Sequence, residues 1–171
     1  ICELFVKTHS DADAMAGELR SLQQHKLYQP EMLTCAKIYC DWIMEKALGY
    51  TNSPAIMTEQ QVDFSDVVPE GFGTCDCVMI GDDVLNIFDY KHGKGVRVDA
   101  VGNPQMRLYA LGALAKYRPL YGDTIKKVRM TIIQPRISAD PSEDEMSVDD
   151  LLAWGDRVHP IAVEAFNGPG T

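Results

Sequence analysis

Two short strand-like segments separated by an acidic dipeptide constrain the fold more than any other part of this sequence. Residues 72–80 and 84–90 are rich in apolar, β-branched and aromatic side chains, and residues 82–83 between them form a turn of hairpin length. A two-residue turn there predicts an antiparallel pair in which Asp76 lies opposite Asp89. A loop longer or shorter by one residue would put Asp76 on the other face of the sheet, so this register decides whether the two acids meet.

Helix signals lie on both sides of this hairpin. Proline or asparagine marks helix starts at Pro30 and at Asn103 with Pro104, Gly49 ends a helix, and Ser147 begins a last one as Ser-x-x-Asp. The sequence predicts, in order, helical residues 1–27 that a polar run at 8–13 can interrupt, a helix at 30–49, strands at 55–64, 72–80 and 84–90, a helix from 104 to about 117, a strand at 128–133, a charged loop at 140–145 and a final helix. The order α-α-β-β-β-α-β-α predicts an α/β fold with a mixed β-sheet flanked by helices.

The length of the chain predicts one domain with three parts. Its 171 residues are enough for a sizeable core. We divide them into a helical N-terminal part at 1–54, a core at 55–135, and a loop with a helix at 136–171 that ends in a turn-like tail at 168–171. The chain starts in helix-like sequence without a methionine, so we expect an ordered piece of a longer protein.

Composition narrows the class of protein. No apolar run approaches the ~20 residues of a membrane-spanning helix, so no membrane partner is expected. Five cysteines without disulfide-like spacing favour a reducing cytoplasm, and Cys75 and Cys77 are predicted to be buried on the sheet face opposite Asp76. The net charge of −9 counts against a protein that coats nucleic acid non-specifically, although a local basic patch and bound cations can still attract one.

The paired acids of the hairpin predict metal-dependent chemistry. Asp89 and Lys91 share one strand face, and Asp76 joins them in the predicted register. Adjacent carboxylates repel each other unless a cation lies between them, and Mg²⁺ or Mn²⁺ prefers such oxygen ligands, with the backbone carbonyl of Tyr90 as a further ligand. Water bound to the cation becomes a nucleophile near neutral pH, and Lys91 can stabilise the developing charge. The alternative is a surface Asp-x-Lys ion pair of little value.

Polar residues after the hairpin are candidate substrate contacts. Gln105 and Tyr109 lie four apart on the predicted helix and share a face, from which they could hydrogen-bond phosphate or base or orient the metal-binding acids. The alternative is ordinary helix-surface polarity and core packing. Lys94 and Arg97 lie in a glycine-containing basic stretch and are candidates for phosphate contacts, with a solvated loop as the alternative. His92 is predicted to point to the opposite face of the strand.

These motifs, in this order, resemble the PD-(D/E)XK nuclease superfamily, and most closely its branch of RecB-type nuclease domains and lambda-type exonucleases. The matching motifs are Gly-Thr-x-Asp, Asp-x-Lys and Gln-x-x-x-Tyr, and the sequence around the second is also similar to a family of phage-encoded exonucleases. The resemblance covers about residues 57–135. It implies a restriction-endonuclease-like fold, with Asp76 and Asp89 as metal ligands, Lys91 as the catalytic lysine, and Gln105 and Tyr109 as supporting site residues.

The resemblance also implies a further acid in the site and indicates which cofactors to expect. Members of the superfamily usually add an acid or a histidine from an N-terminal helix. Glu3 is one candidate and Glu59 the other, and either can equally be a solvated glutamate. Mg²⁺ or Mn²⁺ is the expected cofactor. Relatives often hold an iron–sulfur cluster with cysteines near both ends, but no such set is visible in this sequence, so a cluster would lie outside these residues.

The sequence therefore predicts a metal-dependent deoxyribonuclease, an exonuclease of phage or prophage recombination or replication in the cytoplasm of a bacterial or phage-infected cell. DNA is the expected partner, contacted through Lys94 and Arg97, and other phage recombination or replication proteins are further candidates. Three alternatives stay open: a non-catalytic nucleic-acid-binding module on the same fold, a metal-dependent hydrolase of another substrate on a different α/β fold, and a structural domain without a site. The oligomeric state also stays open.

Overall fold

One mixed β-sheet runs through the part of the chain that the computed structural model describes, residues 1–8 and 11–168. Its strands are β1 (Ala55–Asp63), β2 (Phe72–Gly81), β3 (Val84–Tyr90), β4 (Lys127–Ile133) and β5 (Ser142–Ser147). The α-helices are α1 (Cys2–Lys7), α2 (Ala12–Gln23), α3 (Glu31–Leu48), α4 (Pro104–Tyr121) and α5 (Val148–Asn167). The strands lie side by side in the same order as in the sequence.

The strand directions are mixed. Strands β1, β2 and β3 form an antiparallel meander, β4 runs parallel to β3 after a crossover through α4, and β5 returns antiparallel to β4. The predicted α/β class, a mixed sheet flanked by helices, is therefore confirmed, and it is consistent with a restriction-endonuclease-like fold. In the described residues, none of the helices is both long enough and apolar enough to cross a membrane.

Helices cover both faces of the sheet. Helices α4 and α5 pack on one face against side chains that include Val78 and Ile87, and we call this cluster the α4-side core. Helices α1 and α3 pack on the other face against side chains that include Met79 and Phe88, and we call this cluster the α3-side core. Because both faces of the central strand β3 are covered, almost every residue of it is buried, including Asp89.

The predicted helix starts are present. The side chain of Asn103 accepts a hydrogen bond from the backbone N–H of Met106 at 3.2 Å, and Pro104 occupies the first turn of α4. The hydroxyl of Ser147 accepts one from the backbone N–H of Asp150 at 3.0 Å and so caps α5. Each such cap stabilises its helix by about 0.5–2 kcal/mol.

The prediction of a charged loop at 140–145 is wrong, because most of this segment belongs to the edge strand β5. Its acids alternate between the two faces and find partners there. Oε1 of Glu143 lies 2.7 Å from Nζ of Lys46 on α3, and Oδ2 of Asp144 lies 3.4 Å from Nη2 of Arg107 on α4. Long-range ion pairs thus accompany a strand whose local sequence has low strand propensity.

The predicted helical residues 1–27 form two helices. Helix α1 ends at Lys7 and α2 begins at Ala12, so the predicted polar run at 8–13 covers the break between them and the start of α2. Residues 9–10 of that interruption lie outside the described residues, as does the end of the predicted tail, 169–171. Within the residues that the structure describes, the order of α-helices and strands is α-α-α-β-β-β-α-β-β-α, with one helix and one strand more than predicted.

Candidate active site

The hairpin of β2 and β3 has the predicted register. Its ladder starts beside the two-residue turn and continues to the pair of Cys77 and Phe88. Asp76 and Asp89 come next, and there the strands part. Instead of a further ladder bond, Oδ2 of Asp76 accepts a 2.6 Å hydrogen bond from the backbone N–H of Tyr90. The carboxylate of Asp76 therefore lies at the fork of the two strands.

The regular alternation of faces breaks at Asp76 and at Glu59 on β1. Cys75 packs in the α4-side core and Cys77 in the α3-side core, so the prediction that both thiols share a face is wrong. Glu59 has a φ of 51°, a left-handed conformation that costs a non-glycine residue about 1–2 kcal/mol. Asp76 and Glu59 both lie between the same two residue pairs of the β1–β2 ladder, so the two strands are irregular at the same level of the sheet.

Four predicted site residues form one chain of polar contacts. Nζ of Lys91 lies 3.0 Å from Oδ2 of Asp89 and donates a hydrogen bond to Oδ1 of the same carboxylate at 3.3 Å. The same ammonium donates to Oε1 of Gln105 at 3.4 Å, and Nε2 of Gln105 donates to the hydroxyl of Tyr109 at 3.0 Å. Strand β3 and the segment directly after it supply the first two residues, and the start of α4 supplies the others. Helix α4, which connects β3 and β4, therefore brings the Gln-x-x-x-Tyr motif to the Asp-x-Lys motif.

The ring of Tyr109 lies against the backbone of Gly73. A Cβ atom at Gly73 would lie 2.5 Å from Cε1 of this ring, which is far closer than atoms of this kind approach each other. The ring of Phe64 lies on another side, with its centroid 6.3 Å from that of Tyr109. The glycine of the Gly-Thr-x-Asp motif thus makes room for the tyrosine that ends the polar chain.

Burial weakens both acids of the site. The pKa of Asp76 is raised to about 6, mainly by burial and also by the nearby charges of Asp89 and Glu59. The hydrogen bond from Tyr90 and the charge of Lys91 oppose that rise in pKa. Burial likewise raises the pKa of Asp89, which is 5% exposed, and Lys91 again opposes the rise. One half-buried carboxylate, Asp76, and one buried carboxylate, Asp89, thus share the influence of one lysine, and the site is short of positive charge.

One carboxylate oxygen of the site is buried and has an ion-pair partner but no well-directed hydrogen bond. Within the described residues the Lys91 ammonium lies 3.0 Å from Oδ2 of Asp89, while the hydrogen bond from Lys91 goes to Oδ1. The described part of the chain contains no group of three histidine, cysteine, aspartate or glutamate side chains that could hold a metal. Mg²⁺ and Mn²⁺ sites often use one or two carboxylates and retain water. The donor set of Asp76, Asp89 and the carbonyl of Tyr90 therefore fits such a cation.

The two candidates for the additional acid differ in their surroundings. Glu3 forms an ion pair with Lys7, one turn further along α1. Glu59 is exposed, and its charge raises the pKa of Asp76. Of the two candidates, Glu59 is therefore the one that interacts electrostatically with Asp76.

The basic stretch continues from the site as an exposed loop. Lys94 and Arg97 are exposed, and Nε of Arg97 lies 3.4 Å from Oδ1 of Asp99. His92 turns toward Tyr90, and its Nδ1 lies 2.7 Å from the tyrosine hydroxyl. His92 is therefore not part of the chain of polar contacts. Lys94 and Arg97 are exposed to solvent and follow Lys91 closely in the sequence.

Sequence reasoning missed two glutamines around the site. Gln60 on β1 accepts a hydrogen bond from the hydroxyl of Tyr117 at 2.7 Å and donates one to the carbonyl of Thr58 at 2.8 Å, so it holds the strand beside its irregular residue. Gln134, which follows β4, is buried and bonds to the loop that follows β3. A polar residue directly after an apolar strand is a weak signal, because its partners are distant in the sequence.

The fold and the site define an α/β protein with one buried acid, one half-buried acid and a lysine at the fork of a β-hairpin. The chain belongs to the family described as "Protein of unknown function (DUF2800)", whose model matches residues 1–171. It is similar to the solved structure "Crystal Structure of LHK-Exo in complex with dAMP", with 8% identity and a TM-score of 0.36 over 95% of this chain and 84% of that chain. It is also similar to "Crystal structure of SSO0001", with 16% identity and a TM-score of 0.33 over 99% of this chain and 74% of that chain. Both TM-scores are low, and neither likeness bears on function.

Proposed function

We propose that this protein is a Mg²⁺- or Mn²⁺-dependent deoxyribonuclease of the PD-(D/E)XK type. The observation that carries the proposal is the convergence of Asp76, Asp89 and Lys91 at the fork of β2 and β3. Gln105 and Tyr109 extend this cluster from α4. These are the same residues that form the motifs resembling that superfamily. Phosphodiester hydrolysis needs acids that hold a cation and a lysine beside them, and this cluster contains both.

The site residues divide the tasks of this reaction among them. The carboxylates of Asp76 and Asp89, with the carbonyl of Tyr90, would hold the cation. When bound, the cation polarises the phosphate and lowers the pKa of water, which supplies the nucleophile. Lys91 places its ammonium beside the attacking oxygen and stabilises negative charge on the phosphate. Gln105 holds that ammonium through its amide oxygen.

Further residues extend the site toward its substrate. Glu59 adds an exposed third carboxylate within electrostatic reach of Asp76. Lys94 and Arg97 contact DNA phosphates from the exposed loop, since cations at such positions hold a strand in place without reading its sequence. The motif resemblance supports an exonuclease of phage or prophage recombination or replication, with DNA and the proteins of those processes as partners.

The test is degradation of end-labelled linear DNA with Mn²⁺ or Mg²⁺. The double variant Asp89→Ala/Lys91→Ala should lose turnover, and chelation of the cation should do the same to the unaltered protein. Arg118→Ala/Asp123→Ala is the matched control, because it removes an exposed acid–base pair at the far end of α4. Turnover that persists in the first double variant would end the proposal.

One observation favours a second candidate, a non-catalytic nucleic-acid-binding module on the same fold. The described residues hold only two acids at the fork and no group of three metal-ligating side chains. Such a module would bind DNA equally well with and without the cation and would release no nucleotides. Binding and turnover measured on one preparation separate the two functions.

A further inference from the structure

We propose that Gln134 is a positioning residue that holds the segment at residues 92–98, here called the basic loop, in the shape in which its cations contact DNA phosphates. This inference deepens the proposed function and rests on it for the identity of the ligand. The positioning itself follows from contacts within the chain.

Gln134 uses both ends of its amide on the basic loop. Its Nε2 donates hydrogen bonds to the carbonyl of Gly93 at 3.0 Å and to the carbonyl of Val96 at 2.9 Å. Its Oε1 accepts one from the backbone N–H of Val98 at 3.0 Å. The side chain is only 7% exposed, so water competes little for these bonds. One buried amide therefore fastens the loop near its beginning, at its middle and at its end.

The loop has little else to hold it. In the described part of the chain, no backbone–backbone hydrogen bond involves residues 92–98. The loop includes Gly93 and Gly95, and a Cβ at either position would meet no atom within 4 Å. Such a segment has many accessible conformations unless side chains restrict them. Gln134 supplies three of those restrictions.

A neighbouring residue adds a fourth contact and connects the loop to the site. Nη1 of Arg136 donates a hydrogen bond to the carbonyl of His92 at 3.0 Å. The backbone N–H of Lys91 donates to the carbonyl of Ile133 at 3.0 Å. The segment that leaves β4 thus holds the lysine of the site and the loop after it from one side. The backbone positions of Lys94 and Arg97 are thereby fixed relative to Lys91.

A loop that is already ordered loses less conformational freedom when DNA binds than a loose one does. Gln134→Glu keeps the oxygen that accepts from Val98 but puts a second oxygen against the carbonyls of Gly93 and Val96. Gln134→Met keeps the size and removes all three bonds. We expect both variants to raise the Kd and the KM for DNA by about tenfold, the size of one or two lost phosphate contacts, with a smaller change in kcat.

The first readout does not need activity. Hydrogen exchange of the Val98 amide, the loop N–H that Gln134 accepts, should become faster in Gln134→Met, while exchange in β2 and β3 stays unchanged. Thr131→Val is the matched control, since Thr131 is equally buried on β4 but bonds to Asn86 and Glu143. It should leave loop exchange and DNA affinity unchanged. Unchanged exchange of the Val98 amide in Gln134→Met would overturn the positioning role.

The second readout is a double-mutant cycle on affinity for a labelled duplex DNA in a chelator. Lys94→Ala/Arg97→Ala should weaken binding in the unaltered protein and weaken it much less in Gln134→Met, because the loop cations are already misplaced there. Additive effects, or a loss of kcat at unchanged Kd, would overturn the inference. If the unaltered protein binds DNA but never cleaves it, the nuclease proposal fails, and the cycle still decides the role of Gln134.

Discussion

Oδ2 of Asp76 accepts a 2.6 Å hydrogen bond from the backbone N–H of Tyr90 at the point where β2 and β3 part. The bond ties one acid of the site to the residue between Asp89 and Lys91. A shift of either strand at the fork therefore affects all three side chains of the candidate site. Asp76 and Asp89 stand on strands, and the backbone N–H of Lys91, directly after β3, donates to the carbonyl of Ile133 on β4, so the sheet holds the geometry of the site.

The raised pKa of Asp76 predicts that folding stability falls as the pH rises through the acid range. The folded protein keeps this proton up to about pH 6, whereas the unfolded chain releases it near a pKa of about 3.9. The folded state thus binds more protons between these values, so the stability from this proton is fully present below about pH 4 and lost as the pH rises through about 6. Asp76→Asn should remove this dependence and raise the free energy of unfolding at neutral pH by about 1–2 kcal/mol, a figure reduced for partial exposure.

Denaturant unfolding of both proteins between pH 4 and pH 7.5 measures this effect. Asp123→Asn is the control, because Arg118 lowers the pKa of the exposed Asp123 and its contribution has the opposite sign. The difference between Asp76→Asn and the unaltered protein should grow with pH and then level off. Parallel pH profiles for Asp76→Asn and the unaltered protein would contradict the half-buried, weakly acidic state of Asp76.

The hairpin and the start of α4 could be predicted because their signals are local. The two-residue turn set the register of β2 and β3, and Asn103 with Pro104 marked the helix that carries Gln105. The turn of β2 at Asp76 could not be predicted, since it accompanies a left-handed Glu59 on another strand.

Long-range contacts explain the other features that could not be predicted from the sequence. Strand β5 has three consecutive acids at its centre, and two of them form ion pairs with residues on α3 and α4 that lie far away in the sequence. The role of Gln134 follows from bonds to the loop that precedes α4. Propensity and alternation describe neighbouring residues, so neither pattern reports such partners.

A divalent cation should stabilise the protein, and more strongly at pH 7.5 than at pH 5. Carboxylates bind a metal in their ionised form, and burial raises the pKa of both Asp76 and Asp89. At a hundredfold excess over its Kd, Mn²⁺ should add about 2.7 kcal/mol to the free energy of unfolding. Thermal unfolding with and without Mn²⁺ at the two pH values measures the shift in Tm. The shift should vanish in Asp89→Asn and persist in Asp123→Asn, and an equal shift at both pH values would argue against these ligands.

Gly73→Ala should destabilise the protein by about 1–3 kcal/mol, because the new methyl group would overlap the ring of Tyr109. Adding Tyr109→Leu to this variant should recover much of the loss, so the two changes should be strongly non-additive. Gly95→Ala, at a position with open space around it, is the control and should change stability little. Denaturant unfolding of the unaltered protein, Gly73→Ala, Tyr109→Leu, the double variant and the control tests this, and additive losses would mean that the ring does not occupy the glycine position.

Tyr109→Phe separates the hydroxyl from the ring. The ring keeps its place against Gly73, so the free energy of unfolding should change by about 1 kcal/mol or less. The amide of Gln105 loses the acceptor that fixes it, and we expect kcat to fall by about tenfold through a less well-placed Lys91. Steady-state kinetics on linear DNA measures the change. A kcat equal to that of the unaltered protein would remove Tyr109 from the supporting residues.

Glu59 allows the cost of its backbone conformation to be separated from its role as an acid. Glu59→Gly should stabilise the protein by about 1 kcal/mol, because glycine adopts a φ of 51° without strain, whereas Glu59→Gln keeps the strain and removes only the charge. Both variants should lower turnover to a similar extent if the carboxylate serves the site. Glu3→Gln, which breaks only the pair with Lys7, should leave turnover unchanged. Full activity in both Glu59 variants together with a loss in Glu3→Gln would instead assign the additional acid to α1.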